Sequence, residues 1–219
     1  MKTSKDKNRI PEATMRRLPR YFLQIKRLLD EGSRYVSSKK LGDYLGVKGT
    51  QIRKDLSYFG VFGKARYGYE TLSLAKAIKK ILGLTKQYKM VIVGAGNIGR
   101  ALASYSGFHT CGFDVKYIFD IDDKKIGNII SGVKVYDFNK IEEILDKGEI
   151  DIAIISTPEN KALQAAQRLK DNGVNAFYNF TSAELNSIED VFIEDAEISH
   201  GIFKLAHRLR GKWPRKESD

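Results

Sequence analysis

The sequence predicts an α/β chain in two parts: a small, mostly helical head, then a domain in which strands and helices alternate around a parallel sheet. Three observations predict it. Charge is partitioned: 21 Lys and Arg against 7 Asp and Glu give residues 1–86 a balance of +14, while 17 against 20 give residues 87–219 a balance of −3, together the net +11. The hydrophobic rhythm changes near residue 87, from helical spacing to short apolar runs separated by amphipathic stretches. A G-x-G-x-x-G segment, Gly94-Ala95-Gly96-Asn97-Ile98-Gly99, directly follows the first of those runs. A composition of 42% hydrophobic and 30% charged residues is that of a globular chain, and 219 residues suffice for two small cores.

In the head, Met15, Leu18, Phe22, Ile25, Leu28 and Leu29 recur at helical spacing between Pro11 and Asp30. Thr14 and Pro19 leave the start of that helix open to either position. Glu31-Gly32-Ser33 breaks it. Ser37 and Ser38 then offer a helix N-cap before Lys39–Leu45, and Gly46 fits the end of that helix. A second short helix runs from Gln51 to Tyr58, with Ile52, Leu56 and Phe59 on one face and Gln51, Arg53, Lys54 and Ser57 on the other. Two short helices joined by a turn of about three or four residues form a helix-turn-helix unit. The glycines and alternating aromatics of Gly60–Tyr69 predict a β-hairpin, the wing of a winged helix. Thr71–Leu82 is a further amphipathic helix stopped by Gly83, and Leu84–Lys89 is a linker. A basic head beside a near-neutral domain points to a polyanion such as DNA as partner.

In the second part, Met90–Val93, Val115–Phe119, Val133–Val135, Ile152–Ser156, Ala176–Phe180 and Val191–Ile193 predict strands. Ile98–Tyr105, Ile141–Leu145 and Lys161–Asn172 predict helices, the last closed by Gly173, and Gly201–Arg210 predicts a final basic amphipathic helix. Strands alternating with helices imply a parallel sheet covered on both faces. The boundaries predicted are 1–86 for the winged helix, 87–199 for the sheet domain and 200–219 for a C-terminal helix and tail.

The glycine segment assigns a ligand class to the sheet domain. After a strand and opening a helix, Gly94 permits a tight turn, Gly96 lets backbone approach a pyrophosphate, and Gly99 lets helix pack on strand. Gly94, Ala95, Gly96, Asn97 and Ile98 are therefore candidate dinucleotide contacts. Asp120 ends the second strand, where an acid accepts hydrogen bonds from the adenosine ribose and repels a 2′-phosphate, which favours NAD(H) over NADP(H). Lys124 and Lys125 stand close enough in sequence to soften that preference. Thr157 and Pro158 end a later strand at the same sheet edge, where they read equally as walls of a nicotinamide site or as an ordinary strand-to-helix turn.

Other functions are disfavoured. The single cysteine, Cys111, rules out an intrachain disulfide and a multi-cysteine zinc site, and the three histidines are scattered, so no metal is expected. No apolar run is long enough to span a bilayer, and the charged N-terminus lacks a signal-like apolar region, so a cytoplasmic location and no membrane partner are expected. Tyr-x-x-x-Lys occurs at Tyr35/Lys39 and Tyr44/Lys48, both in the basic head, and at Tyr136/Lys140, which follows a short strand and is not in the mid-helix setting that a reductase needs, so no catalytic residue is assigned. A small NAD-dependent oxidoreductase, or a nucleotide-binding relative with altered or lost DNA binding, remain the alternatives.

The segments VSSKKLGDYLGVKGTQIRKDLSYFGVFGKARYGY, VGAGNIGRALASYSGF and IFDIDDKKIG resemble the Rex family of redox-sensing transcriptional repressors, over about Pro11 to Arg210. The resemblance implies a homodimer in which each subunit joins a winged helix to a Rossmann domain and lends its C-terminal helix to its partner. It implies repression from palindromic operator DNA, relieved when NADH binds and draws the two heads out of register. It assigns Gln51, Arg53, Lys54 and Ser57 to the recognition helix, Arg17 to a phosphate contact, and Lys64 and Arg66 to the wing. It assigns Gly94, Gly96, Asn97 and Asp120 to the dinucleotide. Tyr105 would report on the nicotinamide and the swapped helix, against the alternative of a helix residue packed under the sheet. Glu197 would link nicotinamide state to dimer geometry, where the family usually carries aspartate. The wing reads Ala65-Arg66-Tyr67-Gly68-Tyr69 where the family usually reads Arg-Gly-Val-Gly-Tyr, so the resemblance does not carry over the family's operator preference.

Overall fold

The structure is a computed structural model that describes residues 10–60, 63, 64 and 66–210. It divides into two compact units, residues 1–86 and 87–219.

The first unit opens with α1 (Glu12–Asp30), capped by Pro11 in an extended conformation. The helix runs through Pro19 instead of starting there. Thr14, Leu18, Tyr21, Phe22, Ile25 and Leu28 are buried on one face while Pro19 is exposed, so one lost hydrogen bond on the solvent side is outweighed by a continuous buried stripe. β1 (Tyr35–Val36) leads into α2 (Ser38–Leu45), whose N-cap Ser37 accepts from the Lys40 N–H at 3.0 Å. Gly46 closes α2 in the left-handed conformation, and α3 (Gly49–Ser57) follows after a short turn. A Cβ on Gly42 would stand 2.3 Å from the Val47 carbonyl oxygen, so this glycine sets how tightly the turn folds back on α2.

Beyond α3, β2 (Tyr69–Glu70) pairs antiparallel with β1, and α4 (Thr71–Ile81) packs against α1. This corrects the expected hairpin in part. The strand partner of Tyr69–Glu70 lies upstream, at Tyr35–Val36, and within Gly60–Tyr69 the described residues form a single Lys64–Gly68 bridge. The loop closes there with Arg66 and Gly68 both at positive φ. Val61, Phe62 and Ala65 lie outside the described residues.

The second unit is a seven-stranded sheet. Its strands are β3 (Tyr88–Val93), β4 (Phe113–Asp120), β5 (Ile129–Ile130), β6 (Val133–Asp137), β7 (Ile152–Ile155), β8 (Ala176–Asn179) and β9 (Phe192–Asp195), in the order β5-β6-β4-β3-β7-β8-β9. All neighbours are parallel except the β5–β6 pair. Apart from that edge hairpin, the order is the doubly wound one, which reverses direction at β3 and opens a crevice at the C-terminal ends of β3 and β7. Successive residues of β3 alternate between two cores. Val91 and Val93 join Phe119, Ala153, Ile155 and the inner face of α8 (Glu159–Asp171), while Met90 and Ile92 join Ile118, Val135 and Ile154. Burial on both faces explains the continuous apolar runs in the sequence.

Three details depart from expectation. The helix read as Ile98–Tyr105 is two: α5 (Asn97–Ala103) and α6 (Ser106–Thr110), with Tyr105 extended between them as the N-cap of α6. The two-residue strand β5 is an addition, formed because Ser131 and Gly132 take positive φ and turn the chain into a tight hairpin. A 3₁₀ turn (Phe138–Lys140) precedes the short helix α7 (Ile141–Ile144). The last helix, α9, spans Ile198–Arg210 and has no buried residue: Ile198, Ile202, Phe203, Leu205 and Leu209 are each more than half exposed.

Candidate functional site

The chain leaves β3 through Gly94, whose φ of +103° only glycine adopts readily and whose added Cβ would stand 2.5 Å from the Ser156 carbonyl oxygen. Gly99 is closed from the other side: a Cβ there would lie 1.8 Å from the Gly94 carbonyl oxygen. Gly96 differs from both, since a Cβ there would meet no protein atom within 4 Å. Two glycines are required by close packing of protein on protein. The third keeps a space open beside a cleft of about 640 Å³ at the crevice.

Gly94, Gly96, Asp120, Thr157 and Pro158 line that cleft, together with Ile121, Asp122, Lys125, Phe138, Asn139 and Ser156. One face of α8 completes it, through Asn160, Lys161, Gln164, Ala165 and Arg168. Ala95 is buried behind the lining, and Asn97 and Ile98 are exposed at the start of α5. Tyr105 is 57% exposed and stands edge-on to Phe108 at 5.2 Å, which removes the packed-under-the-sheet alternative. The α8 contribution was missed in the sequence. Its signal was there, since Asn160, Lys161, Gln164 and Arg168 share a helical face, but nothing in one sequence tells that face from a solvated one.

Asp120 is the ionised anchor of the cleft. One carboxylate oxygen, Oδ2, accepts from the Ala95 N–H at 2.7 Å and from Lys125 Nζ at 3.1 Å; the other, Oδ1, accepts from the Asp122 N–H at 3.0 Å. Burial by itself would raise the pKa of Asp120, but these three bonds outweigh it and hold the carboxyl below the ordinary carboxylate range. Lys125 also stands 3.6 Å from Asp122, so this lysine is paired to two acids in the cleft wall. Ser156 Oγ donates to the Val93 and Gly94 carbonyls at 3.1 and 3.0 Å and locks the glycine turn to the β7 loop. Thr157 Oγ1 is buried and has no hydrogen-bond partner among the described residues, an unmet polar group in the wall of a cleft. An open Gly96, an acid fixed by backbone N–H groups and an unmet hydroxyl fit a dinucleotide.

In the head, the expected DNA contacts fall into two groups. Arg53, Lys54, Ser57, Lys64 and Arg66 are exposed. Arg53 donates to Ser38 Oγ at 2.8 Å, and Ser57 Oγ donates to the Lys54 carbonyl at 2.7 Å. Arg17 and Gln51 instead turn to Asp55, which is fully buried. Arg17 meets its carboxylate with two bonds, at 2.7 and 2.8 Å, and Gln51 donates at 2.9 Å. Thr14 at 3.0 Å and Tyr21 at 2.7 Å complete the cluster. Burial pushes the Asp55 carboxyl up, and the bonds from Arg17, Tyr21, Gln51 and Thr14 overcome it to hold the pKa at about 2. The cluster ties α1 to α3, and the sequence reading did not find it.

Glu197, just before α9, is exposed and pairs with His200. Among the described residues no group of His, Cys, Asp and Glu could hold a metal, and no helix is long and apolar enough to cross a membrane.

Residues 9–57 match the family described as "Putative DNA-binding protein N-terminus", and residues 85–183 the family described as "CoA binding domain". The redox-sensing transcriptional repressor Rex of Caldanaerobacter subterraneus subsp. tengcongensis is 42% identical over 90% of this chain and 88% of its own. That of Clostridium acetobutylicum is 41% identical over 93% of this chain and 95% of its own. Among solved structures, the Rex-family repressor RSP in complex with β-NAD⁺ and operator DNA superposes with a TM-score of 0.83 at 38% identity, covering 93% of this chain and 94% of that one. RSP in complex with β-NADH gives a TM-score of 0.84 at 37% identity, over 93% and 95% of the two chains.

Proposed function

The chain belongs to the Rex family of redox-sensing transcriptional repressors, and on that premise we propose that it binds operator DNA through its basic head and releases it when the dinucleotide in its cleft is NADH. The observation that carries the reading is the contrast among the three glycines, of which only Gly96 is open toward the cleft that Asp120 anchors.

The residues divide the work. Gly96, Asn97 and Ile98 present backbone N–H groups to the pyrophosphate, Gly94 and Ala95 shape the turn with their own N–H groups bonded to Phe119 and Asp120, and Asp120 accepts from the adenosine ribose. Thr157 and Pro158 wall the nicotinamide side, with Thr157 Oγ1 gaining there the partner it lacks within the chain. A bound NAD(H) supplies a ring that is cationic when oxidised and neutral when reduced. An apolar surround therefore favours the reduced form, because burying an unpaired charge is costly. The chain carries such a surround on the exposed stripe of α9, Ile198, Ile202, Phe203, Leu205 and Leu209, offered by each copy of a homodimer to its partner. Tyr105 and Glu197 stand at the two joints where that state would reach dimer geometry. In the head, Arg53, Lys54 and Ser57 face the major groove, Gln51 stands at the start of the same helix bonded to Asp55, and Lys64 and Arg66 reach from the wing. Arg17, bonded to Asp55, fixes α3 against α1 and offers its remaining N–H groups to a phosphate. The protein acts without turnover, in the cytoplasm, with neither metal nor membrane.

Two heads must meet half-sites about one helical turn apart, so a modest rotation between subunits ends binding. Swinging the population from 99:1 to 1:99 takes roughly a 10⁴-fold difference in affinity of the two dimer states for the nucleotide. The full chain on an A/T-rich palindromic duplex is expected to dissociate as NADH is added and to stay bound with NAD⁺. Equal release by both nucleotides in an anisotropy titration defeats the reading.

A further inference from the structure

A cluster of side chains not so far assigned to DNA joins one wing residue, Tyr67, to Arg34 and Tyr35 at the strand that precedes α2. The Arg34 guanidinium stands 5.5 Å from the centroid of the Tyr35 ring, and the Tyr35 ring stands 5.7 Å from that of Tyr67. The three side chains form a row on the surface: Arg34 is exposed, Tyr35 half-buried, and Tyr67 65% exposed.

The backbone beneath this row is fixed by other means. The Arg34 carbonyl accepts from the Thr71 N–H at 3.0 Å, and Tyr35 opposes Glu70 in the β1–β2 ladder. The Tyr67 and Gly68 N–H groups both donate to the Lys64 carbonyl, at 3.2 and 2.9 Å, and the Lys64 N–H returns a bond to Gly68 at 2.7 Å. That turn holds Arg66 at a φ of +69°, a conformation that an arginine rarely adopts, so Arg66 and Tyr67 are presented in a set order. Gly68 packs so closely that a Cβ would stand 2.5 Å from the Val36 carbonyl oxygen and 2.9 Å from Ser37 Cα. The loop is thereby pinned to the start of α2, where Ser38 receives Arg53 from α3.

The fold has little use for Tyr67, since a ring two-thirds exposed adds little to a core and the β1–β2 pairing is made by backbone. A duplex has more use for it. The row combines a cation, two aromatic faces and two phenol hydroxyls, flanked by Lys64 and Arg66, on the unit that carries the chain's excess positive charge. Guanidinium and hydroxyl groups donate to phosphate oxygens, and aromatic rings lie against deoxyribose. We propose that Arg34, Tyr35 and Tyr67 form a second, sequence-independent grip on the sugar–phosphate backbone of the duplex, adjoining the recognition surface of α3. The inference rests on the repressor reading.

The test uses the full chain, an A/T-rich palindromic duplex and a random duplex of equal length, with affinity measured across a salt series. Arg34→Ala is expected to weaken both duplexes alike and to lower the slope of log K against log salt by about one per subunit bound. Tyr67→Val is expected to weaken both by about three- to tenfold with the slope unchanged, and Tyr67→Phe to fall between. Melting temperature and NADH affinity stay at wild-type values in all three, which separates the grip from a folding role. Wild-type affinity and slope in Arg34→Ala and Tyr67→Val overturn the grip while leaving the repressor reading standing. Loss on the palindrome alone also overturns it, by making the row a reader of bases. Failure of the wild-type chain to bind either duplex overturns the repressor reading itself.

Discussion

Among the described residues each unit buries one aspartate, and the two are held in opposite ways. Asp55 in the head is closed in by side chains from α1 and from its own helix: Thr14, Arg17, Tyr21 and Gln51. Asp120 in the sheet domain is held by two backbone N–H groups and one lysine at the rim of a cleft. A carboxylate has about four lone-pair sites. At Asp55 five donated bonds fill them, so nothing is left for a ligand. At Asp120 three bonds leave capacity, and they come mainly from backbone that a ligand does not displace. The same residue type, buried and ionised in both places, ties two helices together in one and lines an open cleft with capacity to spare in the other. The source of its donors makes the difference.

The largest effect that would sharpen this contrast is on stability. Asp55→Ala strands a buried phenol and hydroxyl and the Arg17 guanidinium, which is 27% exposed; breaking a fully buried pair from one side costs about 3–5 kcal/mol, and a loss of about 3 kcal/mol, the lower end, is expected here. Chemical denaturation of the variant is expected to show that loss, with NADH affinity per folded molecule unchanged. A loss below about 1 kcal/mol would mean that water replaces the carboxylate freely and that the cluster does not tie α1 to α3.

Acid gives the next effect. Asp55 titrates at about 2 in the fold against 3.8 for the unperturbed group, so its carboxylate stabilises the head fully above the unfolded value. That contribution is lost as pH falls from about 4 through 2, and a shift of this size corresponds to about 2 kcal/mol. Asp120 is shifted in the same direction and adds to the slope. Stability measured between pH 5 and 2 is expected to fall more steeply in wild type than in Asp55→Asn. Parallel curves would break the comparison.

These two carboxylates also differ in how far the sequence revealed them. Asp120 was legible because a dinucleotide fold writes its needs into residue type: glycine where φ is positive or backbones touch, and an acid at the end of the next strand. Asp55 was illegible because an aspartate between Lys54 and Leu56 reads as one more surface charge. Apart from Gln51 its partners lie up to 41 residues away on another helix, and only packing brings them together. For the same reason nothing in the sequence joined Arg17 to Asp55. The polar residues Thr14, Arg17 and Tyr21 do recur along one face of α1, a stripe that a strictly apolar core would not have and that a reader could now look for. The strand at Ile129–Ile130 escaped because two residues carry no periodicity. That the sheet is mainly parallel followed from the alternation of strands and helices, whereas its strand order is set by tertiary packing and was not legible.

Asp120→Asn shifts the readout from stability to ligand. The amide can still accept from one N–H group, so the fold survives, but the charge that the ribose hydroxyls meet is gone. About a tenfold loss in NADH affinity is expected, equivalent to about 1.4 kcal/mol, with a smaller loss for NADPH because repulsion of the 2′-phosphate is relieved. Equal losses would show that the acid does not choose between the two cofactors.

The smallest effect belongs to Lys125. Its side chain is 37% exposed, and an ion pair open to solvent contributes below about 1 kcal/mol. In Lys125→Met, Asp120 keeps both of its backbone donors, so melting temperature and NADH affinity are expected to change by no more than a few-fold equivalent. NADPH is the sensitive probe. Lys125 is the cation that stands beside the ribose end, and removing it exposes a 2′-phosphate to the unneutralised charges of Asp120 and Asp122. The ratio of NADPH to NADH dissociation constants is therefore expected to rise in Lys125→Met, opposite in sign to Asp120→Asn. A ratio that stays constant while both affinities fall would mean that Lys125 acts only by steadying Asp120, and then all the selectivity would lie in the one carboxylate held by backbone.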